Sequence, residues 1–513
     1  MKKNRLAAID IGTNSIRCIV VEVTKTGSFR VLDDEKATVR LGEGLAVSGS
    51  ILQAAWERAV TALTRMKKIV DGYGVKAIEA VATSAVRKAA NGEAFIAAIA
   101  EEVGIAVTVI SGEEEAELAA LSVRNHFDME GARHAMVDIG GGSLEVVTAL
   151  GSHIEEIYSL ELGAVFLTEK FMAGDSVRPS GQEKLRKHVR SSLKEVFAGE
   201  RAQFQCLVGS GGTITAIAAM VMAMRGEGYG SVHRYEVLRS EVVHLLAMLS
   251  RKTMKERREV PGLNPDRADI IVAGVTVVDE LMRFFDANVL RVNERGIREG
   301  LIVKALRTHG LIHGVQEPRT WRDTVLEFGR SCHMDEEHAL HVTKLSLQLF
   351  DALEPAFRMG DGARRMLEAA AILHDVGYFI NYSSHHKHSY HLIRHADLFG
   401  FTPREREIIA NAARYHRKAL PKKKHDAYVR LAEPDRQVVS RLGGILRLAD
   451  GLDRRRSGVV SGVTCSVSDG TVIVTIASSE DISVELFGGK IKGDLFEEAF
   501  KKRLLLVAEH TQS

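Results

Sequence analysis

The chain has 513 residues and a formal net charge of +2 at pH 7, with 45% hydrophobic and 27% charged residues. These values are ordinary for a soluble globular protein of roughly two to four domains. They exclude a bulk polycation, so attraction to a polyanion must come from local clusters of charge.

The cysteines lie far apart in the sequence, without a CxxC pair: Cys18, Cys206, Cys332 and Cys465. This pattern favours buried thiols in a reducing compartment over a disulfide framework or a zinc site. The apolar run after the basic N-terminus is interrupted by Asp10, Asn14 and Arg17, which argues against a signal peptide. The run Thr213–Met224 is too short to span a bilayer. We therefore predict a cytoplasmic protein without a membrane partner.

The first half of the chain contains an internal repeat. Ala7–Val20 and Ala135–Thr148 align without a gap, with Asp, Ile, Gly and Ser at matching positions. Each copy predicts a buried strand, a tight glycine turn and a second strand. A carboxylate at the end of a buried strand is costly unless it meets a cation or hydrogen-bond donors, and glycine lets backbone N–H groups approach a phosphate. Two such turns in register predict a clamp for phosphate and metal rather than two ordinary hairpins.

A third glycine loop and a series of helices and strands complete this half. Gly209–Thr213 precedes an alanine-rich helix over Thr213–Met224, and free N–H groups at a helix N-terminus form a typical anion site. Apolar spacing predicts a helix from Leu52 to Val70 and strands over Val75–Thr83 and Val107–Ile110. The mixture predicts two similar α/β lobes with a cleft between them.

These motifs resemble those of the exopolyphosphatase and guanosine-pentaphosphate phosphatase (Ppx/GppA) family, in order and spacing, over about residues 5–305. The matching segments are Asp10–Ser15, Ala82–Arg87, Ile110–Ala116, Asp138–Glu145, Gly209–Thr213 and Arg295–Gly300. The resemblance implies duplicated α/β lobes of the actin-like, ribonuclease H-like class. It also implies a hydrolase that removes terminal phosphates from inorganic polyphosphate or from guanosine pentaphosphate.

The resemblance implies roles for individual residues. Glu115 and Glu145 match the catalytic glutamates, Asp138 and Glu145 the ligands of Mg²⁺, and Arg87 an arginine that faces the phosphates. The other phosphate contacts are expected from the three glycine loops: Asp10, Gly12, Thr13, Asn14, Ser15, Arg17, Gly140, Gly141, Gly142, Ser143, Gly209, Ser210, Gly211, Gly212 and Thr213. Oxygen ligands suit Mg²⁺, and a carboxylate can orient or deprotonate the attacking water. Without the resemblance, Glu113–Glu115 would be interpreted as an acidic first helical turn.

From about Leu311 the chain is predicted to be helical and contains a histidine–aspartate set. His338, His374, Asp375 and Asp450 resemble the metal ligands of HD-type phosphohydrolases. The resemblance implies an all-α HD-like domain that either binds a second divalent metal ion (Mn²⁺, Fe or Zn²⁺) or only extends the surface for polyphosphate. His388 and His416 fall where two-metal HD proteins have further ligands. His385 and His386 are predicted on a basic surface loop.

Positive charge clusters at Arg414, Arg417, Lys418 and Lys422–Lys424, where His416 is also placed, and at Arg454–Arg456. Beside a phosphatase, such a cluster indicates a groove for a long polyanion, with affinity that falls in salt. Aromatic residues are too few here to predict stacking on nucleic-acid bases. The final segment predicts a small α+β piece without chemistry: a hairpin of Gly462–Ser468 and Thr471–Ala477, then an amphipathic helix over Asp494–Val507.

The sequence thus predicts lobe I over residues 1–125, lobe II over 126–310, an HD-like helical domain over 311–456 and a small α+β domain over 457–513. The leading function is a processive exopolyphosphatase. A guanosine-pentaphosphate phosphatase would use the same site, and the sequence does not separate the two. A non-enzymatic sensor of polyphosphate or alarmone would be expected to lack Glu115 and Glu145, and a kinase would need an adenosine pocket. A homodimer is the expectation that the family implies.

Overall fold

The computed structural model describes residues 4–510, apart from 24–28, 128–132, 152, 173–176, 198–203, 205 and 312–319. The chain forms two compact units, the first of residues 1–226 and 231–318 and the second of residues 227–230 and 319–513. None of the helices within the described ranges combines the length and apolar character that a membrane span requires.

The first unit contains two mixed sheets. Its strands are β1 Arg5–Ile11, β2 Ser15–Val23, β3 Phe29–Thr38, β4 Ala77–Ala82, β5 Val107–Val109, β6 Arg133–Ile139, β7 Leu144–Leu150, β8 His153–Leu160, β9 Cys206–Ser210, β10 Glu236–Leu238 and β11 Val289–Val292. The strand orders are β3-β2-β1-β4-β5 and β10-β11-β9-β6-β7-β8. In both sheets an antiparallel hairpin (β1-β2 or β6-β7) is extended by a parallel strand (β4 or β9) beside its first strand. This repeated topology confirms the predicted duplicated α/β lobes.

The helices of the first unit cover these sheets. They are α1 Leu45–Ser48, α2 Gln53–Tyr73, α3 Ser84–Lys88, α4 Gly92–Ala98, α5 Gly112–Arg124, α6 Ala164–Phe171, α7 Pro179–Val196, α8 Gly212–Met224, α9 Arg239–Ser250, α10 Met254–Arg258, α11 Ile271–Phe284 and α12 Ile297–Thr308, with a π-helical turn at Ile99–Val103 and a 3₁₀ turn at Pro265–Arg267. Helix α12 was predicted within lobe II, but its Ile302 and Leu306 pack in one buried cluster with Leu6 and Ile19 of lobe I. Its apolar face is thus buried on the first sheet, a long-range contact that sequence order does not reveal.

The second unit is mainly helical and ends in a three-stranded sheet. Its elements are α13 Trp321–Ser331, α14 Glu336–Phe357, α15 Ala363–Leu373, a 3₁₀ turn Val376–Phe379, α16 His385–His395, α17 Pro403–Arg414, α18 Asp426–Val429, α19 Glu433–Gly451, β12 Gly462–Ser468, β13 Thr471–Ser478, α20 Ser483–Lys492, α21 Asp494–Phe500 and β14 Arg503–His510. Helices and sheet share one hydrophobic core, which joins Leu349 and Leu446 to Val472 and Phe496.

The last segment confirms one prediction and corrects another. Strands β12 and β13 form the predicted hairpin, with Gly470 at φ 88°. The helix predicted over Asp494–Val507 is wrong in its second half, because Lys501 at φ 54° ends α21 and residues 503–510 pair in parallel with β13. The apolar residues Leu504 and Leu506 fit an alternating strand as well as a helix. Pairing with the edge of β13 favours the strand.

Candidate functional site

The two glycine turns of the first unit face each other across a cleft. A methyl group on Gly141 would lie 2.9 Å from Cβ of Thr13, and one on Gly142 would lie 2.6 Å from Oγ of Ser84. Side chains at these two positions would push the turns apart. The structure brings most of the predicted residues to this one cleft: Asp10, Gly12, Thr13, Asn14, Ser15, Arg17, Glu115, Asp138, Gly140, Gly141, Gly142, Ser143, Gly211 and Gly212.

Two carboxylates face each other on the lobe II hairpin. Asp138 on β6 and Glu145 on β7 are direct cross-strand partners, and like charges in this arrangement are destabilising. Ser210 Oγ donates to Asp138 Oδ2 at 2.7 Å and Ser159 Oγ donates to Glu145 Oε1 at 3.1 Å. Glu145 Oε2 is buried with no hydrogen-bond partner among the described residues. Burial and the charge of Asp138 raise the pKa of Glu145 to about 8, so the pair fits an oxygen-coordinated cation such as Mg²⁺.

The equivalent position in lobe I holds an opposite charge. Asp10 on β1 is the cross-strand partner of Arg17 on β2. Burial raises the pKa of Asp10 to about 6, although the positive charges of Arg17 and Arg298 oppose this shift. Lobe I therefore contributes its own cation where lobe II has a second carboxylate.

Glu115 is held at the start of helix α5. Ser111 and Glu114 form the capping box of this helix, with Ser111 Oγ accepting from the Glu114 N–H at 3.1 Å. The acidic-turn interpretation therefore fits the exposed Glu113 and Glu114, whereas Glu115 is buried. Arg87 donates to Glu115 Oε2 at 3.3 and 3.4 Å and to the Ile110 carbonyl at 2.6 Å. In the described part of the chain, Arg87 thus supports Glu115 and is not among the cleft-lining residues.

Burial, and then the negative charge of Glu145, raise the pKa of Glu115 well above its usual value, against the opposing charge of Arg87. A carboxylate with a raised pKa is a better proton acceptor near neutral pH than an exposed one. The position and the environment of Glu115 both suit a general base.

The third glycine loop contributes less than the sequence suggested. Gly211 has φ 94°, and a methyl group there would lie 2.9 Å from Asp138 Oδ1. Gly209 lies within β9 against Leu290 and Ile214, so its predicted phosphate contact does not fit its position in the sheet. Thr213 is buried beneath α11, where a methyl group on Gly274 would lie 2.8 Å from its Oγ1. Gly209 and Thr213 therefore serve the packing of the strand and the helix, and they do not line the cleft.

Two further arginines line the cleft, and sequence patterns did not identify them as site residues. Arg267 lies over the start of α8, in the space that a side chain on Gly212 would fill, and Arg298 pairs with Asp34. Burial and the positive charge of Arg17 lower the pKa of Arg267 to about 10. Arginine side chains that are buried and close enough to repel one another are typical of a site for a polyanion. Arg298 lay in a matched segment, whereas nothing in the sequence signalled Arg267.

The second unit brings the four HD-type residues together. Nε2 of His338 lies 3.6 Å from Asp450 Oδ1 and 3.9 Å from Asp375 Oδ2. Nε2 of His374 lies 3.6 Å from the same oxygen of Asp375. All four side chains are buried, and three of them form one potential metal-binding group. Imidazole nitrogens and carboxylates at these distances suit Mn²⁺, Fe²⁺ or Zn²⁺.

Several histidine predictions for this unit are corrected. His385 and His386 are buried rather than on a surface loop, because the ring of Tyr378 stacks on His385 at 4.0 Å. His385 and His416 form a second group with Asp375, whereas His388 is outside both groups found in the described part of the chain. The side chain of His416 is 1% exposed, so it cannot line a surface groove.

The basic residues predicted to form a polyanion groove are only partly exposed. Arg414 lies over the rings of Tyr390 and Tyr415, Arg417 lies over Tyr382, and Lys418 is exposed. The groove stays a prediction.

Comparison with known proteins agrees with this geometry. The model of the Ppx/GppA phosphatase family matches residues 19–309, and that of Ppx/GppA phosphatase domain III matches residues 321–484. A Ppx/GppA family member from Aquifex aeolicus is 28% identical, with 61% of this chain and 99% of that chain covered and a TM-score of 0.53. An exopolyphosphatase from Cytophaga hutchinsonii is 27% identical, with 60% and 98% covered and a TM-score of 0.56.

The fold and the cleft together indicate a phosphatase with duplicated α/β lobes, of a class that depends in general on a divalent metal ion. The chain belongs to the Ppx/GppA phosphatase family.

Proposed function

We propose that the cleft of the first unit is the active site of an exopolyphosphatase. The observation that carries this proposal is the lining of the cleft: it combines glycine turns with Arg17, Arg267 and Arg298, and no aromatic side chain is among its described residues. Polyphosphate has a negative charge on every phosphate and no base, so cations and N–H groups suffice to bind it. The guanine of guanosine pentaphosphate would be expected to stack on an aromatic ring.

Each group of the cleft has a part in the reaction. Asp138 and Glu145 would hold Mg²⁺, which when bound offsets the charge on the terminal phosphate oxygens. Glu115 orients a water molecule and accepts its proton as the water oxygen attacks the terminal phosphorus, while Arg87 fixes the carboxylate. The bond to the next phosphate breaks, and the shortened chain leaves as the second product. Backbone N–H groups of the turns around Thr13 and Gly141 donate to the phosphate oxygens.

In the second unit, we propose that His338, His374, Asp375 and Asp450 bind a divalent transition metal ion. Each of these residues places a nitrogen or oxygen within 4.0 Å of another member of the set. Nε2 of His338 and of His374 has no hydrogen-bond partner in the described chain, so both atoms are available as ligands.

The test compares purified wild type with Glu115→Ala and Glu113→Ala on long-chain polyphosphate and on guanosine pentaphosphate, with Mg²⁺. We expect Glu115→Ala to lose about 10²- to 10⁴-fold in kcat, as removal of a general base does. Glu113→Ala is the matched control, because that residue is exposed in the first turn of α5, outside its capping box, and does not line the cleft. A higher kcat/KM on guanosine pentaphosphate would overturn the substrate assignment. Full activity of Glu115→Ala on both substrates would overturn the assignment of the base.

A further inference from the structure

Lys36 continues the positive charge of the cleft outward across the sheet of lobe I. It is the cross-strand partner of Arg17, and direct partners in an antiparallel pair project from the same face of the sheet. Arg17 lines the cleft, whereas Lys36 is exposed on the edge strand β3 and is not one of the lining residues. Neighbouring strands are about 4.8 Å apart, so Lys36 lies one strand spacing beyond Arg17 and two beyond Asp10. The three residues therefore form a row that leads away from the cleft.

A second cation is held beside this row by contacts from the end of β3. Arg40 donates to Asp269 Oδ2 at 2.7 Å and to the carbonyl oxygen of Asp266 at 3.0 Å. These hydrogen bonds tie the 3₁₀ turn that carries Arg267 to the chain that follows β3. Arg267 is thus close enough for its positive charge to act on Lys36.

Some cations of this region have carboxylate partners and others do not. Arg298 pairs with Asp34, and Arg40 pairs with Asp269. In the part of the chain that the structure describes, three further cations form no ion pair: Arg17, Lys36 and Arg267. Partial desolvation, followed by the charges of its two unpaired neighbours, lowers the pKa of Lys36 to about 8. An anion bound among the three would relieve this repulsion.

The pairing of Lys36 with Arg17 also separates two explanations for an exposed lysine on an edge strand. Such a lysine can simply prevent the edges of two molecules from pairing. That function does not require a second cation directly opposite, and like charges in this arrangement destabilise a sheet. An anion that binds both side chains would offset this cost. The arrangement therefore indicates a ligand rather than protection of the edge alone.

We propose that Lys36 binds the polyphosphate chain at a phosphate several units away from the one that is removed. Glu115 lies on α5, which follows β5 at one edge of the lobe I sheet, and Lys36 lies on β3 at the other edge. A chain with its terminal phosphate at Glu115 passes Arg17 before it reaches Lys36, and a short chain ends before that point. Arg267 binds the chain beside Lys36. This role rests on the proposed function of the cleft and makes Lys36 a determinant of specificity for long chains.

The dependence of the rate on chain length tests this role. Initial rates of wild type and Lys36→Met are measured with Mg²⁺ on long-chain polyphosphate and on tripolyphosphate. We expect kcat/KM on the long chain to fall about tenfold relative to that on tripolyphosphate, because one charge-assisted hydrogen bond is lost. The matched control is Lys68→Met, an exposed lysine of α2, which packs on the opposite face of the sheet and should keep the wild-type ratio. A ratio that Lys36→Met leaves at the wild-type value would overturn the role.

Lys36→Arg separates the charge of the side chain from its packing. Arginine keeps the charge, so this variant should retain the preference for long chains. The charged groups that face Lys36 are listed here: Arg17 on β2, Asp266 and Arg267 on the 3₁₀ turn and Arg298 on α12. Free Lys36 loses its proton above about pH 8, whereas arginine stays charged, so the dissociation constant of wild type for long-chain polyphosphate should rise above that of Lys36→Arg in this range. Identical pH profiles of the two proteins would contradict a contact between the Lys36 ammonium and a phosphate.

Binding of long-chain polyphosphate to the Glu115→Ala protein lets this role and the proposed function fail separately. We expect Lys36→Met in that protein to raise the dissociation constant about tenfold, and Lys68→Met to leave it unchanged. If Lys36→Met leaves the dissociation constant unchanged, the role of Lys36 is wrong, whether or not wild type hydrolyses polyphosphate. If wild type fails to hydrolyse polyphosphate but Lys36→Met weakens its binding, the proposed reaction is wrong and the binding role is supported. Circular dichroism melting checks that each variant is folded.

Discussion

The two copies of the glycine-turn hairpin differ at one pair of positions that decides what each can bind. In lobe I, Asp10 faces Arg17 across the hairpin, and in lobe II, Asp138 faces Glu145 at the same register. The first copy balances its own charge, whereas the second places two carboxylates together, and these need a proton or an external cation between them. The two hairpins therefore line the cleft with different charges, and the proposed function assigns anionic oxygens to the first hairpin and a metal ion to the second.

A second difference lies on the neighbouring parallel strand. Ser210 is the strand partner of Asp138 and donates to its carboxylate, whereas the corresponding partner of Asp10 is Val81, which has no donor in its side chain. A carboxylate that accepts a hydroxyl hydrogen bond is held in one orientation and favoured in its charged form. Both features of a metal ligand are thus present in lobe II.

The second unit shows the opposite electrostatic pattern. Burial alone would raise the pKa of Asp375, but the nearby His374, His385 and His416 lower it instead. In the first unit, burial raises the pKa values of both Glu115 and Glu145, and the charge of Glu145 raises the first further while that of Asp138 raises the second. Asp375 is therefore charged in advance of any ligand, whereas at neutral pH Glu145 of the first unit becomes charged when a cation binds.

The largest expected effect follows from removing the like-charge pair of lobe II. We expect Glu145→Gln to lower kcat on polyphosphate by about 10²- to 10⁴-fold, since it removes a proposed ligand of Mg²⁺. Without Mg²⁺ and above about pH 8, where Glu145 is charged, the same variant should melt a few degrees higher than wild type, because the repulsion with Asp138 is gone. Initial rates and thermal melts in EDTA measure the two effects. A lower melting temperature would mean that the Glu145 carboxylate stabilises the metal-free fold.

The next effect concerns the cation of lobe I. We expect Arg17→Met to raise KM for polyphosphate by about ten- to one-hundredfold with little change in kcat, because it removes a positive charge that faces the substrate rather than the reacting water. The control is Arg5→Met, which breaks the Arg5–Glu22 pair farther along the same hairpin and does not line the cleft. Equal effects of the two substitutions on KM would show that Arg17 acts only through the stability of the hairpin.

A smaller effect is expected when the strand partner of Asp138 is replaced by the residue type that pairs with Asp10. Ser210→Val removes the hydroxyl that orients Asp138. The new side chain would have no donor, like that of Val81 beside Asp10. We expect the Mg²⁺ concentration for half-maximal activity to rise by about tenfold, the lower end of what loss of a residue supporting a metal ligand costs. Activity at saturating Mg²⁺ should recover. If saturating Mg²⁺ does not restore the rate, Ser210 has a role other than positioning Asp138.

Sequence patterns predicted the duplicated lobes and most residues of the cleft, because the turn motif encodes both the backbone geometry and the carboxylates. The gapless alignment already pairs Arg17 with Glu145, but only the cross-strand register shows that each of them faces the aspartate of its own hairpin, with opposite consequences. Arg267 was missed because a 3₁₀ turn far along the chain brings it over α8. His385 was placed on a surface because charged and polar neighbours surround it in the sequence, whereas Tyr378 and the packing of α16 bury it.

The smallest expected effect is the pH dependence of the stability of the metal-free protein. The two hairpins should differ in this dependence because their carboxyl groups have different pKa values. A raised pKa means that the folded state holds a proton that the unfolded state releases, so stability falls as pH rises from the ordinary pKa to the raised one. Asp10 should contribute this loss between pH 3.8 and about 6, and Glu145 between pH 4.5 and about 8. In EDTA, the melting temperature of wild type relative to Glu145→Gln should therefore decline up to about pH 8, and excess Mg²⁺ should reduce the decline. Parallel curves for the two proteins across this range would show that Glu145 does not titrate there, and the contrast between the copies would then rest on charge pairing alone.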